Sequence, residues 1–174
     1  MRLSLLIILS TILFSCSTSK KSLNTAINEK GNLVGIADKT SFQQTPFNDW
    51  FAPNYKDYQL DLQITNQIKP LLKGVKIKAV MGTWCGDSRR EIPHFYKLLD
   101  AVDFNYKNLQ MITVDRSKKS TNNEQEGLDI IRVPTFIFYK NGKEINRFVE
   151  YPVETLEKDF LKILQEVGYK HAYK

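Results

Sequence analysis

An α/β sandwich built around a mixed β-sheet is the fold class this sequence predicts, on three observations. Val75 to Gly82 carries Val75, Ile77, Ala79, Val80 and Met81 with no breaker, as a strand buried on both faces should. Ser88 to Val102 spaces Ile92, Phe95, Leu99 and Val102 three or four apart, the inward stripe of an amphipathic helix. Lys140-Asn141-Gly142-Lys143 separates the strand-like runs Thr135 to Tyr139 and Glu144 to Val149, and Asn-Gly is the strongest short hairpin signal. Strand, helix, strand, loop, hairpin and helix then follow in an order that layers helices on a mixed sheet.

The elements can be justified from the N-terminus. Arg2 followed by the apolar run Leu3 to Phe14 reads as the charged and hydrophobic regions of an export signal over residues 1–15. The run is too short for a membrane span, which needs about 20 apolar residues. Leu13-Phe14-Ser15-Cys16 resembles a bacterial lipoprotein processing box, which implies a lipid on Cys16. An ordinary cleaved secretory signal is the alternative, and under it a Cys16 to Cys85 bridge stays open. Residues 16–45 are rich in Ser, Thr, Asn, Gln and Lys without a sustained apolar period and read as a flexible tether. Residues 46–174 are then the folded domain.

Within the domain two periods compete over Tyr55 to Leu72: Tyr58, Leu62, Thr65, Ile68 and Leu72 suit one helix, whereas Tyr58, Leu60, Leu62 and Ile64 alternate like a strand. The helix is favoured because the stretch is longer than a typical strand, opened by Pro53 and Asn54 and closed by Pro70 and Gly74. The strand Val75 to Gly82 delivers Cys85 to the start of the next helix, where Pro93 should introduce a kink. Leu109 to Val114 reads as a second apolar strand, and Asp115 to Gly127 as a polar loop. Leu156, Phe160, Ile163, Leu164 and Val167 form the apolar face of a last helix, opened after Pro152 and stopped by Gly168.

Composition narrows the function classes. With 42% hydrophobic and 25% charged residues, the 174-residue chain reads as one ordinary globular domain. The net charge of +6 comes from scattered lysines such as Lys69, Lys76, Lys140 and Lys158, without the concentrated basic footprint of a nucleic-acid binder. Two cysteines and two histidines without paired ligand spacing argue against a zinc or copper centre. His94 lies about 13 Å along a helix from Cys85, too far for a Cys-His dyad, and His171 falls in a basic tail expected to fray. Trp50, Phe51, Tyr55 and Tyr58 read as packing beneath the preceding loop. Glu124, Glu126 and Asp129 read as a polar loop.

The motifs carry a resemblance from about Tyr55 to Val167. Trp84-Cys85-Gly86, Pro93 eight residues after the cysteine, Val133-Pro134-Thr135 and Phe136 to Lys143 occur in the order found in thioredoxins. The chain resembles the thioredoxin-fold family, which implies a three-layer α/β/α sandwich, a nucleophilic Cys85, and a cis-proline shelf at Val133, Pro134 and Thr135 that pairs with an extended substrate. Ser88 stands where dithiol members place the resolving cysteine. Ala79 replaces their common buried acid, Asp87 their intervening proline, and Glu150 a frequent glycine after the hairpin.

These departures decide which chemistry is expected. A cysteine attacks as its thiolate, and the amide-rich start of a helix favours an anion. Asp87 opposes that effect, and Arg89 and Arg90 offset it if they lean toward the sulfur. Ser88 either donates a hydrogen bond to the thiolate or simply caps the helix. With no resolver, Cys85 is expected to form a mixed disulfide that another thiol releases, as an isomerase or monothiol reductase does. The implied partners are exported proteins with thiols or disulfides, an external thiol reductant, and a membrane reached through the lipid on Cys16. The implied place is the bacterial cell envelope, facing the periplasm or outer membrane, with no cofactor. Two other readings stand: Cys85-Gly86-Asp87-Ser88 resembles the monothiol glutaredoxins, which exchange glutathione or hold iron–sulfur clusters, and the fold alone can serve as a binding module.

Overall fold

The computed structural model describes residues 25–174, so the expected export signal, Cys16 and the first part of the expected tether lie outside the described residues. Six strands form one mixed sheet: β1 (Thr25–Ile27), β2 (Leu33–Ala37), β3 (Val75–Met81), β4 (Leu109–Thr113), β5 (Thr135–Lys140) and β6 (Lys143–Val149), in the spatial order β1-β2-β4-β3-β5-β6. The helices are α1 (Lys39–Phe42), α2 (Asn48–Asp57), α3 (Leu62–Leu71), α4 (Gly86–Ala101) and α5 (Leu156–Gln165). Strand β3 lies parallel to β4 and antiparallel to β5, so the breaker-free run occupies the centre of the sheet.

Residues 25–45 are not a tether. Leu33, Gly35 and Ala37 alternate with Val34 and Ile36 in β2, which pairs antiparallel with β4 and buries Leu33 and Ala37. The strand escapes a search for long apolar periods because it is only five residues long and carries a glycine. Helix α1 follows, its Asp38 N-cap accepting from the Ser41 amide at 3.0 Å while the Ser41 hydroxyl accepts from the Asp38 amide. Phe42 is fully buried beside Phe51 and Tyr96. The aromatic cluster of Trp50, Phe51 and Tyr55 therefore packs against this N-terminal segment.

The single helix expected over Tyr55 to Leu72 is two. Tyr58 ends α2 in an extended conformation, and Asp61 caps α3 by accepting from the Ile64 amide at 3.1 Å. The strand-like alternation at Tyr58, Leu60 and Leu62 falls in this break: Leu60 packs on the core while Leu62 stays exposed. Pro53 lies inside α2 instead of opening a helix. Val167 likewise leaves the apolar face assigned to it, because α5 closes with Glu166 in the left-handed region and Val167 is exposed.

All five helices pack into the core on one face of the sheet. There Phe160 of α5 meets Phe95, Phe136, Phe138 and Phe148, and Phe95 stacks on Phe136 at 4.2 Å. Each fully buried phenylalanine contributes about 1.5–3 kcal/mol. Among the described residues no α-helix covers the other face: Leu128 and Val133 of the segment after β4 close over Val80, Ile112 and Ile137. This segment covers the half of the sheet nearest Cys85. The other half, around Lys76, Lys78, Gln110 and Tyr139, borders an open cleft of about 910 Å³. At the β5–β6 turn, Asn141 and Gly142 both take positive φ, as the tight hairpin requires.

A polar node ties α1 and α2 to α4. Asp100 accepts hydrogen bonds from Lys39, Tyr55 and Tyr106. Burial opposes its charge, but these three donors outweigh it and hold the carboxyl below its ordinary value of 3.8. A carboxyl depressed in the folded state adds stability above its unfolded value, and that contribution disappears as pH falls through the folded value. Asp100→Asn is therefore expected to lower the unfolding midpoint at pH 7, with the gap to wild type closing below about pH 4. Thermal unfolding across pH checks this, and a gap that widens in acid contradicts it.

Candidate active site

Strand β3 ends at Met81, and the next four residues turn the chain into α4. Gly82 is obligatory here, since a Cβ built on it would lie 2.5 Å from the Trp84 indole. Trp84 fills that space and donates from Nε1 to the Val114 carbonyl at 2.9 Å, with the Arg116 guanidinium 5.2 Å from the ring centre. Thr83 is buried, and its hydroxyl accepts from the Leu33 amide at 3.1 Å. Strand β2, in the stretch expected as tether, thus buttresses the turn that carries Cys85.

Cys85 is the N-cap of α4, in extended conformation, and no side chain caps the first turn. The amides there are free to face an anion. The thiol is half-buried and donates from Sγ to the Val133 carbonyl at 3.2 Å. Val133 and Thr135 are buried, Pro134 lies between them after a cis peptide bond, and the Pro134 carbonyl accepts from the Glu150 amide at 2.7 Å. Chain positions 48 residues apart therefore meet at the sulfur.

The flanking residues are arranged differently from either expectation. Ser88 is fully buried at the third position of α4, and its Oγ accepts from the Gly82 amide at 3.3 Å, so it braces the turn. The cap is Cys85 itself. Arg90 pairs with Asp87 at 2.7 Å and with buried Glu91 at 2.7 Å, which counters the Asp87 charge locally. Arg89 donates to the Thr83 carbonyl at 2.6 Å. Both arginines therefore act on neighbours of the sulfur. Ala79 is buried in β3.

His94 stacks on Tyr58 at 3.9 Å and faces Glu91. Tyr58 donates to buried Glu157 at 2.9 Å, and burial together with that carboxylate pushes the phenol well up. The tail expected to fray is docked: Tyr169 donates to Asp159 at 3.0 Å, its carbonyl accepts from Asn146 at 2.9 Å, and His171 is buried. Glu124 accepts from Ser120 and Asn122 as part of a loop network. Among the described residues, no group of His, Cys, Asp and Glu side chains could hold a metal ion.

Sequence reasoning missed Gly82, Arg116 and the tail. Gly82 was legible as a glycine two residues before the tryptophan. Arg116 and the tail reach the site only through folding.

A family model described as thioredoxin matches residues 43–161. Thioredoxin of Ictalurus punctatus is 32% identical over 97 residues, 53% of this chain and 87% of the relative. A thioredoxin-like protein of Acanthamoeba polyphaga mimivirus is 29% identical over 93 residues, covering 53% of this chain and 65% of the viral protein, so just under two thirds of that relative is matched. A Pseudomonas aeruginosa protein of unknown function shares the fold at a TM-score of 0.58 and 13% identity, over 76% of this chain and 94% of its own. With a family match over more than half its length and the sulfur seated beside the Val133–Pro134 loop, the chain belongs to the thioredoxin family.

Proposed function

We propose that the chain performs thiol–disulfide exchange through Cys85 alone, as an isomerase or monothiol reductase. The observation that carries this reading is a half-buried Cys85 whose Sγ lies 3.2 Å from the Val133 carbonyl, in a turn where the buried hydroxyl of Ser88 takes the place of a resolving thiol. The Cys85 thiolate attacks one sulfur of a target disulfide, forms Cys85–S–S–target, and releases the other target sulfur as a thiolate. A second thiolate then attacks the target sulfur of that bond and regenerates Cys85. If the second thiolate belongs to the same target, the disulfide is rearranged without net redox change. If it belongs to an external thiol, the target is left joined to that thiol by a disulfide. A second external thiolate then attacks the reductant's sulfur, freeing the target as a dithiol while the two electrons leave as the reductant's own disulfide.

Val133 has a part in both steps. Its carbonyl holds the resting thiol, and it becomes free for the backbone of an extended target when the sulfur ionises or bonds. The export signal and the lipid on Cys16 extend the proposal to targets in the bacterial cell envelope, with the domain held at a membrane. Among the described residues, no helix is long and apolar enough to cross one. The test is trapping: disulfide-linked complexes from envelope fractions should be seen with wild type and vanish with Cys85→Ala. An identical set of partners from both would point instead to a binding module.

A further inference from the structure

Glu150, the first residue after β6, has φ of 69°, the left-handed region where a side chain is strained and glycine is not. Its carboxylate accepts a hydrogen bond from the Tyr173 hydroxyl, and its amide donates to the Pro134 carbonyl at 2.7 Å. One residue thus joins the C-terminal tail to the loop beside Cys85. Arg132, adjacent to Val133, places its guanidinium 5.5 Å from the centre of the Tyr173 ring, and Tyr151 meets that ring edge-on at 6.3 Å. Tyr169 and His171 anchor the tail from behind.

The junction exposes large apolar side chains alongside Arg132. Ile131, Tyr151, Val153 and Tyr173 are four of the eight large hydrophobic side chains exposed among the described residues, and all four sit on the segments that meet here. Ile131 lies two residues before Val133, whose carbonyl faces Sγ, and Tyr151 follows Glu150, whose amide bonds the Pro134 carbonyl, so the patch borders the loop that holds the sulfur. An extended chain advances about 3.3 Å per residue, so a target whose cysteine is at Sγ brings its next few side chains onto the patch.

We propose that the C-terminal tail is a wall of the target groove, and that Tyr173 with Tyr151 selects polypeptides bearing an aromatic or aliphatic side chain beside the reactive cysteine. The proposal rests on the exchange chemistry assigned to Cys85. The occupant is an extended target segment because the patch borders the loop that holds the reacting atom. Glu150 is a positioning residue: its carboxylate latches Tyr173, which gives a reason for a glutamate at a position that favours glycine.

The test uses the full-length protein and three probes. Two are peptides capped as mixed disulfides with 2-mercaptoethanol, identical except for Phe or Gly beside the cysteine, and the third is hydroxyethyl disulfide. The rate of mixed-disulfide formation at Cys85 is read by mass spectrometry. Wild type should favour the Phe peptide about tenfold, and Tyr173→Ala should cut the preference below about twofold while leaving the hydroxyethyl disulfide rate unchanged. Glu150→Gly, which frees the latch and relaxes the backbone, should lower the preference in the same direction. Equal preference in wild type and Tyr173→Ala, or a loss shared by hydroxyethyl disulfide, overturns the groove wall. A wild-type protein inert to all three probes overturns the Cys85 reading itself, and the wall with it.

Discussion

Cys85→Ser should lower the rate of exchange with hydroxyethyl disulfide at least about 100-fold, to the uncatalysed background. The thiolate is the nucleophile toward a disulfide sulfur, and a serine hydroxyl at neutral pH supplies no comparable anion. Cys85 is the one cysteine among the described residues, so no second thiol in the domain can substitute for it. The substitution is nearly isosteric, and a hydroxyl can still donate to the Val133 carbonyl that now takes the thiol proton. The unfolding midpoint is therefore expected to stay close to that of wild type, which separates lost chemistry from lost fold. Exchange that persists in a well-folded variant would place the reactive sulfur elsewhere.

Ser88→Cys should raise dithiothreitol-driven insulin reduction about tenfold over wild type, because it supplies the internal resolver. Cys85 caps α4 and residue 88 is its third position. Side chains three apart on a helix lie about 5–6 Å from each other, and a disulfide accommodates Cα separations of about 4.4–6.8 Å. The new thiolate would attack the mixed disulfide at Cys85 and expel the target as a free thiol. Exchanging a buried hydroxyl that accepts from the Gly82 amide for a weaker sulfur acceptor should cost about 1 kcal/mol, so a slightly lower midpoint accompanies the gain. Unchanged insulin reduction by a folded variant, with no bridge from Cys85 to the introduced thiol on oxidation, would show that the two sulfurs do not meet.

Much of the half of the domain around Cys85 was readable as residue order. The run from Val75 to Met81 became the central strand because Val75, Ile77, Ala79 and Met81 bury one whole face. The two-sided burial expected of it reaches only Val80 on the other, where Lys76 and Lys78 border the open cleft. Asn141-Gly142 became the hairpin turn because both residues tolerate positive φ. Other features escaped for physical reasons. Leu33–Ala37 is too short to show a period, and its burial depends on pairing with β4. Tyr58 to Leu62 satisfied two periods at once, and the Asp61 cap decided between them. By residue type Ser88 suits either the sulfur or the helix start, but its oxygen serves the Gly82 amide, an acceptor role that only the folded turn exposes.

The linear order of residues by itself determined that a lone sulfur would stand between a breaker-free strand and an amphipathic helix, since strand, turn and helix are all encoded in one continuous stretch of neighbouring positions. Tertiary structure alone decided what surrounds that sulfur. The Val133 carbonyl, Arg116 over Trp84 and the Glu150–Tyr173 latch come from distant parts of the chain. Contacts between residues so far apart depend on strand pairing and core packing, which no local pattern of residues records.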